Sequence, residues 1–397
     1  MKICQITASM DRSAGGPPNV ISGSSLELIR KGCQVELCSM VLQGRIGEAR
    51  SEWPALIEAG IVMNFFERDI EGLAYSLELE NFLSDNFSRF DAFHFHGIWD
   101  LSLVISVRKL QSLGCNVYIS AHGMLDPWSL SRSSLLKQLA LKFFGIKSGL
   151  LKAKGVIFAT QEEADLADRG LKCKLPAKII TNGVDTRIDL KDKREGRRFL
   201  ESVVHDVERF GYVFLFCARL HPKKGLFEAV KAFHQIHADH PDWCFVIAGI
   251  SEDLEYESAI VSYIADNNLL KSVFLTKEIS GSSCSLAYAG SDALIQVSFQ
   301  EGFSLTVLEA MLYGNPVVIS DACHMDDVRT ENCGRIVGNS IAEISKGMKD
   351  IMSMDKTAYD AMSKSANRLV TERFSWDRVS EQLRDVYRQN SALEKLP

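Results

Sequence analysis

At 397 residues the chain is long for one hydrophobic core and suits two domains. Its 46% hydrophobic content is that of a globular protein, and a net charge of −6 gives no sign of nucleic acid or an anionic membrane as a partner. Ten scattered cysteines without a CxxC pair exclude a disulfide scaffold and read as small core residues in a reducing compartment.

In chain order, Lys2 to Ser9 reads as the first strand, Asp11 to Pro18 as a glycine-rich loop and Asn19 to Lys31 as a helix ending at Gly32. The opening MKICQITASM lacks the apolar run of a signal peptide, and no stretch approaches the ~20 apolar residues of a membrane span. The expectation is a cytoplasmic protein, at most peripheral on the inner face of the plasma membrane. Gln34 to Met40, Phe93 to His96, Val117 to His122, Val156 to Thr160 and Lys178 to Thr181 continue the strands, with helical patterns between them. The alternation predicts an α/β fold with a parallel sheet. Arg187 to Arg209 is dense in charge and reads as a linker, or the helix leading out of it. A second series begins at Tyr212, with strands at Val213–Cys217, Cys244–Ala248, Val273–Leu275, Ala293–Val297, Val317–Ser320 and Gly334–Val337. The boundary is therefore placed as 1–190 and 191–373. From Phe374 the tail reads as a helix capped by Ser375, with Trp376, Val379, Leu383 and Val386 on one stripe.

The most informative stretch is EGFSLTVLE, Glu301 to Glu309. An apolar strand precedes it, Gly302 supplies a turn and Ser304 can cap the helix that follows. Glu301 then lies in a loop at the carboxyl end of a strand and Glu309 lies on the helix, where open α/β sheets bind ligands. The helix start favours a phosphate, and carboxylates beside it favour hydroxyls. Together these point to a sugar nucleotide.

There is no GxGxxG, GxxxxGK[ST], HExxH or GxSxG motif and no Asp-x-Asp pair to bridge a metal to a diphosphate. The diphosphate charge must then be met by basic side chains and backbone N–H groups. RLHPKKG supplies Arg219, Lys223 and Lys224 directly after the first strand of the second half, and Gly15 and Gly16 occupy the matching loop of the first half. His122 ends a strand, with Asp126 four residues on. His94 and His96 would share one face of a strand, but no third ligand accompanies them, so no metal is expected.

Taken together, the AGGPP loop, TNGVD, RLHPKKG with its helix, FVIAG, and EGFSLTVLE followed by AMLYGNPVVIS, in that order along the chain, resemble the family 4 retaining glycosyltransferases of bacterial polysaccharide type (glycosyl transferases group 1). The resemblance covers essentially the whole chain. It implies the GT-B fold: two Rossmann-like domains facing a central cleft, with the C-terminal helix of about 374–397 crossing back to the first. It implies that Glu301 holds hydroxyls of the donor sugar with help from the backbone of Gly302, Phe303 and Ser304. Glu309 would grip the ribose, and Arg219 and Lys224 would neutralise the diphosphate. Gly16, beside Gly15, would approach the phosphates or the acceptor. His122 would lie near the sugar, and Leu305 and Thr306 would add backbone contacts to phosphate. No cofactor is implied beyond the nucleotide-sugar donor.

The implied activity is metal-independent transfer of a hexose, with UDP-glucose the first expectation, to a growing polysaccharide or lipid-linked oligosaccharide. A GDP-mannose-using mannosyltransferase, an epimerase of the same fold and a non-catalytic nucleotide-sugar-binding subunit remain alternatives. Arg132 to Lys154 carries one Arg, five Lys and no acid, which suits peripheral membrane contact. Lys137, Lys142, Lys147 and Lys152 nevertheless recur every five residues, ~140° apart on a helix, so they do not build one basic face.

Overall fold

The apolar runs become parallel strands, the central ones buried on both faces, as a sheet covered by helices requires. A computed structural model describes residues 1–12, 15–125, 145–187, 190–251, 253–277, 279 and 281–391. Its contacts divide the chain into unit 1, Met1–Gly183 with the segment from Trp376 onward, and unit 2, Val184–Ser375.

In unit 1 the strands are β1 (Lys2–Thr7), β2 (Gln34–Val41), β3 (Val62–Glu67), β4 (Ala92–His96), β5 (Val117–Ser120), β6 (Gly155–Phe158) and β7 (Ala177–Ile179). They pair in the order β3-β2-β1-β4-β5-β6-β7. Unit 2 has β8 (Tyr212–Cys217), β9 (Trp243–Ala248), β10 (Val273–Thr276), β11 (Ala293–Gln296), β12 (Val317–Ser320) and β13 (Gly334–Val337), in the order β10-β9-β8-β11-β12-β13. Each sheet grows outward in both directions from its first strand. The order reverses between β1 and β4 and again between β8 and β11. The chain thus adopts the expected pair of Rossmann-like, doubly wound domains. In such sheets the crevice at the carboxyl ends of the two strands flanking the reversal is where ligands bind.

The helices that frame these strand ends are α1 (Gly16–Arg30), α2 (Gln161–Leu171), α3 (Lys193–Val203), α4 (Leu226–Ile236), α5 (Cys284–Gly290), α6 (Leu305–Leu312) and α7 (Trp376–Ser391). Helix α1 starts at Gly16, earlier than its sequence suggests. Pro17 and Pro18 occupy its first turn, where a missing N–H costs nothing. The charge-dense stretch forms α3, capped by the Asp192 carboxylate, which accepts from Glu195 N at 2.7 Å. Its basic face is anchored inward. Lys193 and Arg197 reach the two oxygens of the buried Asp292 at 2.8 and 2.6 Å, and Asp292 also accepts from Val213 N at 2.8 Å.

Helix α7 packs within unit 1. The Trp376 indole fills the space that two absent side chains leave. A Cβ on Gly23 would lie 2.1 Å from its Nε1, and one on Gly183 would lie 2.8 Å from its ring. Lys31 pairs with Asp377 at 2.9 Å. The buried stripe is Trp376, Val379, Leu383 and Tyr387, with Tyr387 taking the inner position in place of Val386.

Candidate active site

The reversal point of unit 2 brings together two loops that are far apart in sequence. The β8–α4 loop carries Arg219 to Gly225 and the β11–α6 loop carries Val297 to Ser304. Gly225 makes the meeting possible. Its φ is +70°, and a Cβ there would lie 2.0 Å from Val297 O. The loops are laced by backbone, with Phe299 N donating to Lys223 O at 2.7 Å.

At their junction Lys224 Nζ forms a salt bridge with Glu301 Oε1. Gln296 Nε2 and Ser298 Oγ donate to the same oxygen at 2.6 and 2.9 Å. One carboxylate oxygen thus carries three donors, which fixes the carboxylate plane and leaves Oε2 for other partners. The loop beneath is held in turn. Asn339 Nδ2 donates to Val297 O at 2.9 Å, and Ser320 Oγ donates to Ser298 O at 2.5 Å.

Ser304 caps α6, its hydroxyl accepting from Val307 N at 3.4 Å. Gly302 and Phe303 lead into that cap, and Leu305 and Thr306 open the helix, where backbone N–H groups have no acceptor one turn earlier. Glu309 is the fifth residue of α6, a little over one turn from its start. Tyr288 of α5 donates to Glu309 Oε2 at 2.9 Å. Burial raises the Glu309 pKa, and the Tyr288 hydrogen bond opposes that rise. Arg219 lies exposed in the turn after β8, whose flanking Ala218 and Leu220 N–H groups donate to Ala248 and Ile250 carbonyls at 3.1 and 3.0 Å. The structure thus joins Lys224 to Glu301 directly and puts Arg219 on the same loop as Lys224.

Unit 1 has its own arrangement. Gly15 precedes α1 with φ +90° and open space around its Cα, and Gly16 is the first helical residue. Beside this loop a cavity of about 180 Å³ is lined by Ser9, Asp11, Arg45, Glu52 and Arg68 with apolar Met40 and Val41. His122 follows β5 in the left-handed region, φ 49°. Glu163 of α2 holds its loop, accepting from Gly123 N and Ala159 N at 2.8 Å each. His122 Nε2 lies 3.0 Å from His96 Nδ1, and His96 Nε2 lies 2.7 Å from Gln5 Oε1. His94 instead meets Ser120 Oγ at 2.8 Å and the Tyr387 hydroxyl at 2.7 Å. The His-x-His spacing therefore serves two hydrogen-bonded chains. Among the described residues no group of three or more His, Cys, Asp or Glu is placed to hold a metal ion.

Burial lowers the pKa of His94 to about 3 and that of His122 to about 4, and takes His96 well below the usual imidazole value of 6.5. All three are neutral at pH 7. Between about pH 4 and 6.5 the unfolded chain binds protons that the folded chain does not, so stability rises with pH through that window. The urea midpoint is expected to fall as pH is lowered from 7.5 to 5. His122→Gln, which removes one titrating ring, is expected to flatten part of that slope. An unchanged slope would place the His122 pKa near its ordinary value.

Sequence reasoning missed Gln296 and Ser298, the donors that fix Glu301, along with Tyr288, Gln5 and the role of His96. Gln296 left one signal, as the single long polar side chain in the apolar run ALIQVS. Asp126 and most of Arg132 to Lys154 lie outside the described residues. Among the described residues no helix is long and apolar enough to cross a membrane.

The model of the family described as glycosyl transferases group 1 matches residues 204–393, the stretch that holds Lys224, Glu301 and Glu309. The chain is 26% identical over 218 residues to an uncharacterised glycosyltransferase of Methanocaldococcus jannaschii, a match spanning 53% of each chain and so about half the length of that relative. It is 24% identical over 300 residues to the GDP-mannose:cellobiosyl-diphosphopolyprenol alpha-mannosyltransferase of Xanthomonas campestris, covering 75% of this chain and 73% of that one. In fold it is similar to the crystal structure of Anabaena HepE in complex with UDP, with TM-score 0.78 and 17% identity over 98% of this chain and all of that one. Residues 204–393, a little under half of the chain, are thus similar to the glycosyl transferases of group 1, and the chain carries the paired Rossmann-like domains of the GT-B fold.

Proposed function

We propose that this protein is a retaining, metal-independent hexosyltransferase that moves a sugar from a nucleoside diphosphate to a hydroxyl of a growing polysaccharide or lipid-linked oligosaccharide. The observation that carries the reading is the Glu301 carboxylate, fixed through Oε1 by Lys224, Gln296 and Ser298 at the reversal point of the unit 2 sheet. Oε2 then accepts from hydroxyls of the hexose, assisted by the N–H groups of Gly302, Phe303 and Ser304. Glu309, steadied by Tyr288, accepts from ribose hydroxyls. Arg219, Lys224 and the N–H groups of Leu305 and Thr306 face the diphosphate. Gly15 and Gly16 allow close approach of backbone to phosphate or acceptor. His122 serves the sugar, and the cavity beside Ser9 and Asp11 suits a hydroxyl-rich acceptor.

In the reaction the bond from the anomeric carbon to the leaving phosphate oxygen breaks, and a bond to the acceptor oxygen forms on the same face. The acceptor proton passes to the leaving phosphate oxygen, so no dedicated base is needed. Lys224 and Arg219 stabilise negative charge that grows on the diphosphate as the bond breaks.

UDP-glucose is the first donor to test. GDP-mannose is the second, favoured by the Xanthomonas relative that spans three quarters of this chain. The test supplies each donor with polyprenyl-diphosphate-linked oligosaccharides in the presence of EDTA and follows product by mass spectrometry. Acceptor-dependent release of nucleoside diphosphate with a hexose added to the acceptor is expected. Equal donor breakdown with and without acceptor would favour an epimerase or hydrolase, and donor binding without turnover a non-catalytic subunit.

A further inference from the structure

The chain Gln5–His96–His122 links β1, β4 and the loop after β5, and it ends on a partly buried residue to which the proposed function gives a substrate role. We propose that Gln5 and His96 are positioning residues that fix His122 as the Nε2–H tautomer, so that its Nδ1 is presented to a ligand as a lone-pair acceptor for a hydroxyl.

The argument follows the protons. Gln5 Oε1 is an acceptor only, so at 2.7 Å it takes its proton from His96 Nε2. A neutral His96 protonated at Nε2 has a lone pair at Nδ1. That lone pair, 3.0 Å from His122 Nε2, accepts the proton that Nε2 carries. His122, neutral in turn, is left unprotonated at Nδ1. The geometry is rigid at each link. Gln5 and His96 are buried, and the rings of His96 and His122 lie nearly parallel, at 16°, with centroids 5.2 Å apart, as a hydrogen bond between ring edges requires. His94 packs against His96, at 4.2 Å between centroids, and is itself tied to Ser120 and Tyr387, which restricts the His96 ring. Glu163 holds the backbone of the next residue, Gly123, and with it the left-handed turn at His122. A ligand hydroxyl donates to an acceptor of this kind, whereas the Nδ1–H tautomer would require the hydroxyl to accept.

The inference rests on the reading of His122 as a substrate contact, yet its test is independent of turnover. Protein labelled with ¹⁵N-histidine is examined by long-range ¹H–¹⁵N correlation at pH 7.5, with His122 assigned from the spectrum of His122→Gln. The expected wild-type pattern is a protonated Nε2 and an unprotonated Nδ1. Gln5→Met and His96→Phe, checked for folding by circular dichroism, are expected to shift His122 toward a tautomer mixture. They should lower kcat by about 10- to 100-fold, by analogy with the outer partners that orient metal-bound histidines, with the donor KM little changed. A wild-type His122 protonated at Nδ1 overturns the proposal whatever the variants do, as does an unchanged tautomer in a folded variant. Should His122→Gln transfer sugar normally while the tautomer behaves as described, the functional reading of His122 fails and the positioning argument stands.

Discussion

Lys224→Ala is expected to lower turnover by about 10²- to 10³-fold, the cost of removing one preorganised stabiliser of transition-state charge. The fold should survive, because Glu301 keeps Gln296 and Ser298 as donors and the loop beneath keeps Asn339 and Ser320. Lys224→Arg retains the charge but not the compact ammonium that fits against Glu301 Oε1, so partial activity is expected. Steady-state release of nucleoside diphosphate at saturating acceptor reads both variants. Near-normal turnover in the alanine variant would remove Lys224 from the chemistry.

Gly225→Ala is expected to cost more than its single methyl suggests. A non-glycine residue at φ +70° is strained by about 1–2 kcal/mol. The added Cβ would also lie 2.0 Å from Val297 O, a backbone atom of the neighbouring loop. Relief requires the two loops to part, and with them Lys224 and Glu301. Stability should fall by about 2 kcal/mol or more, and kcat/KM by about 10²-fold, the penalty of roughly 1 Å of misplacement in a positioned group. Gly32→Ala is the matched control. It has φ +80° but open space around it, so strain alone should appear, without loss of transfer. Equal behaviour of the two variants in denaturant melts and transfer assays would mean that the loops do not meet as described.

The features legible in the sequence were those encoded locally. Apolar runs of strand length and the helices between them were enough to expect two doubly wound domains, and Ser304 and Gly302 marked a turn and a cap. β3 escapes the sequence reading, although Ile61 to Phe66 is apolar except at Asn64. Val62 is half exposed on this edge strand, and the run has no regular alternation to set it apart. The basic stretch around Lys193 and Arg197 looked like a linker because its partner, Asp292, lies on the order of a hundred residues away and is buried. The same holds at the site. Residue types named Glu301 and Lys224 separately, but nothing local joins residues 77 positions apart, and the space that permits it is the missing side chain of Gly225. The fit of Trp376 against Gly23 and Gly183 is hidden in the same way, since each glycine alone reads as an ordinary turn or helix residue.

The division of labour along EGFSLTVLE is tested most directly by calorimetry. UDP and UDP-glucose, then GDP and GDP-mannose, are titrated into wild type, Glu301→Gln and Glu309→Ala. Glu309→Ala is expected to weaken the nucleoside diphosphate and its sugar conjugate alike, by about tenfold for a lost charge-assisted hydrogen bond of ~1.5 kcal/mol. Glu301→Gln should leave the nucleoside diphosphate unchanged and remove only the added affinity that the hexose provides. Equal losses for both ligands in Glu301→Gln, or unchanged affinities in both variants, would contradict the assignment of Glu301 to the transferred sugar and Glu309 to the nucleotide left behind.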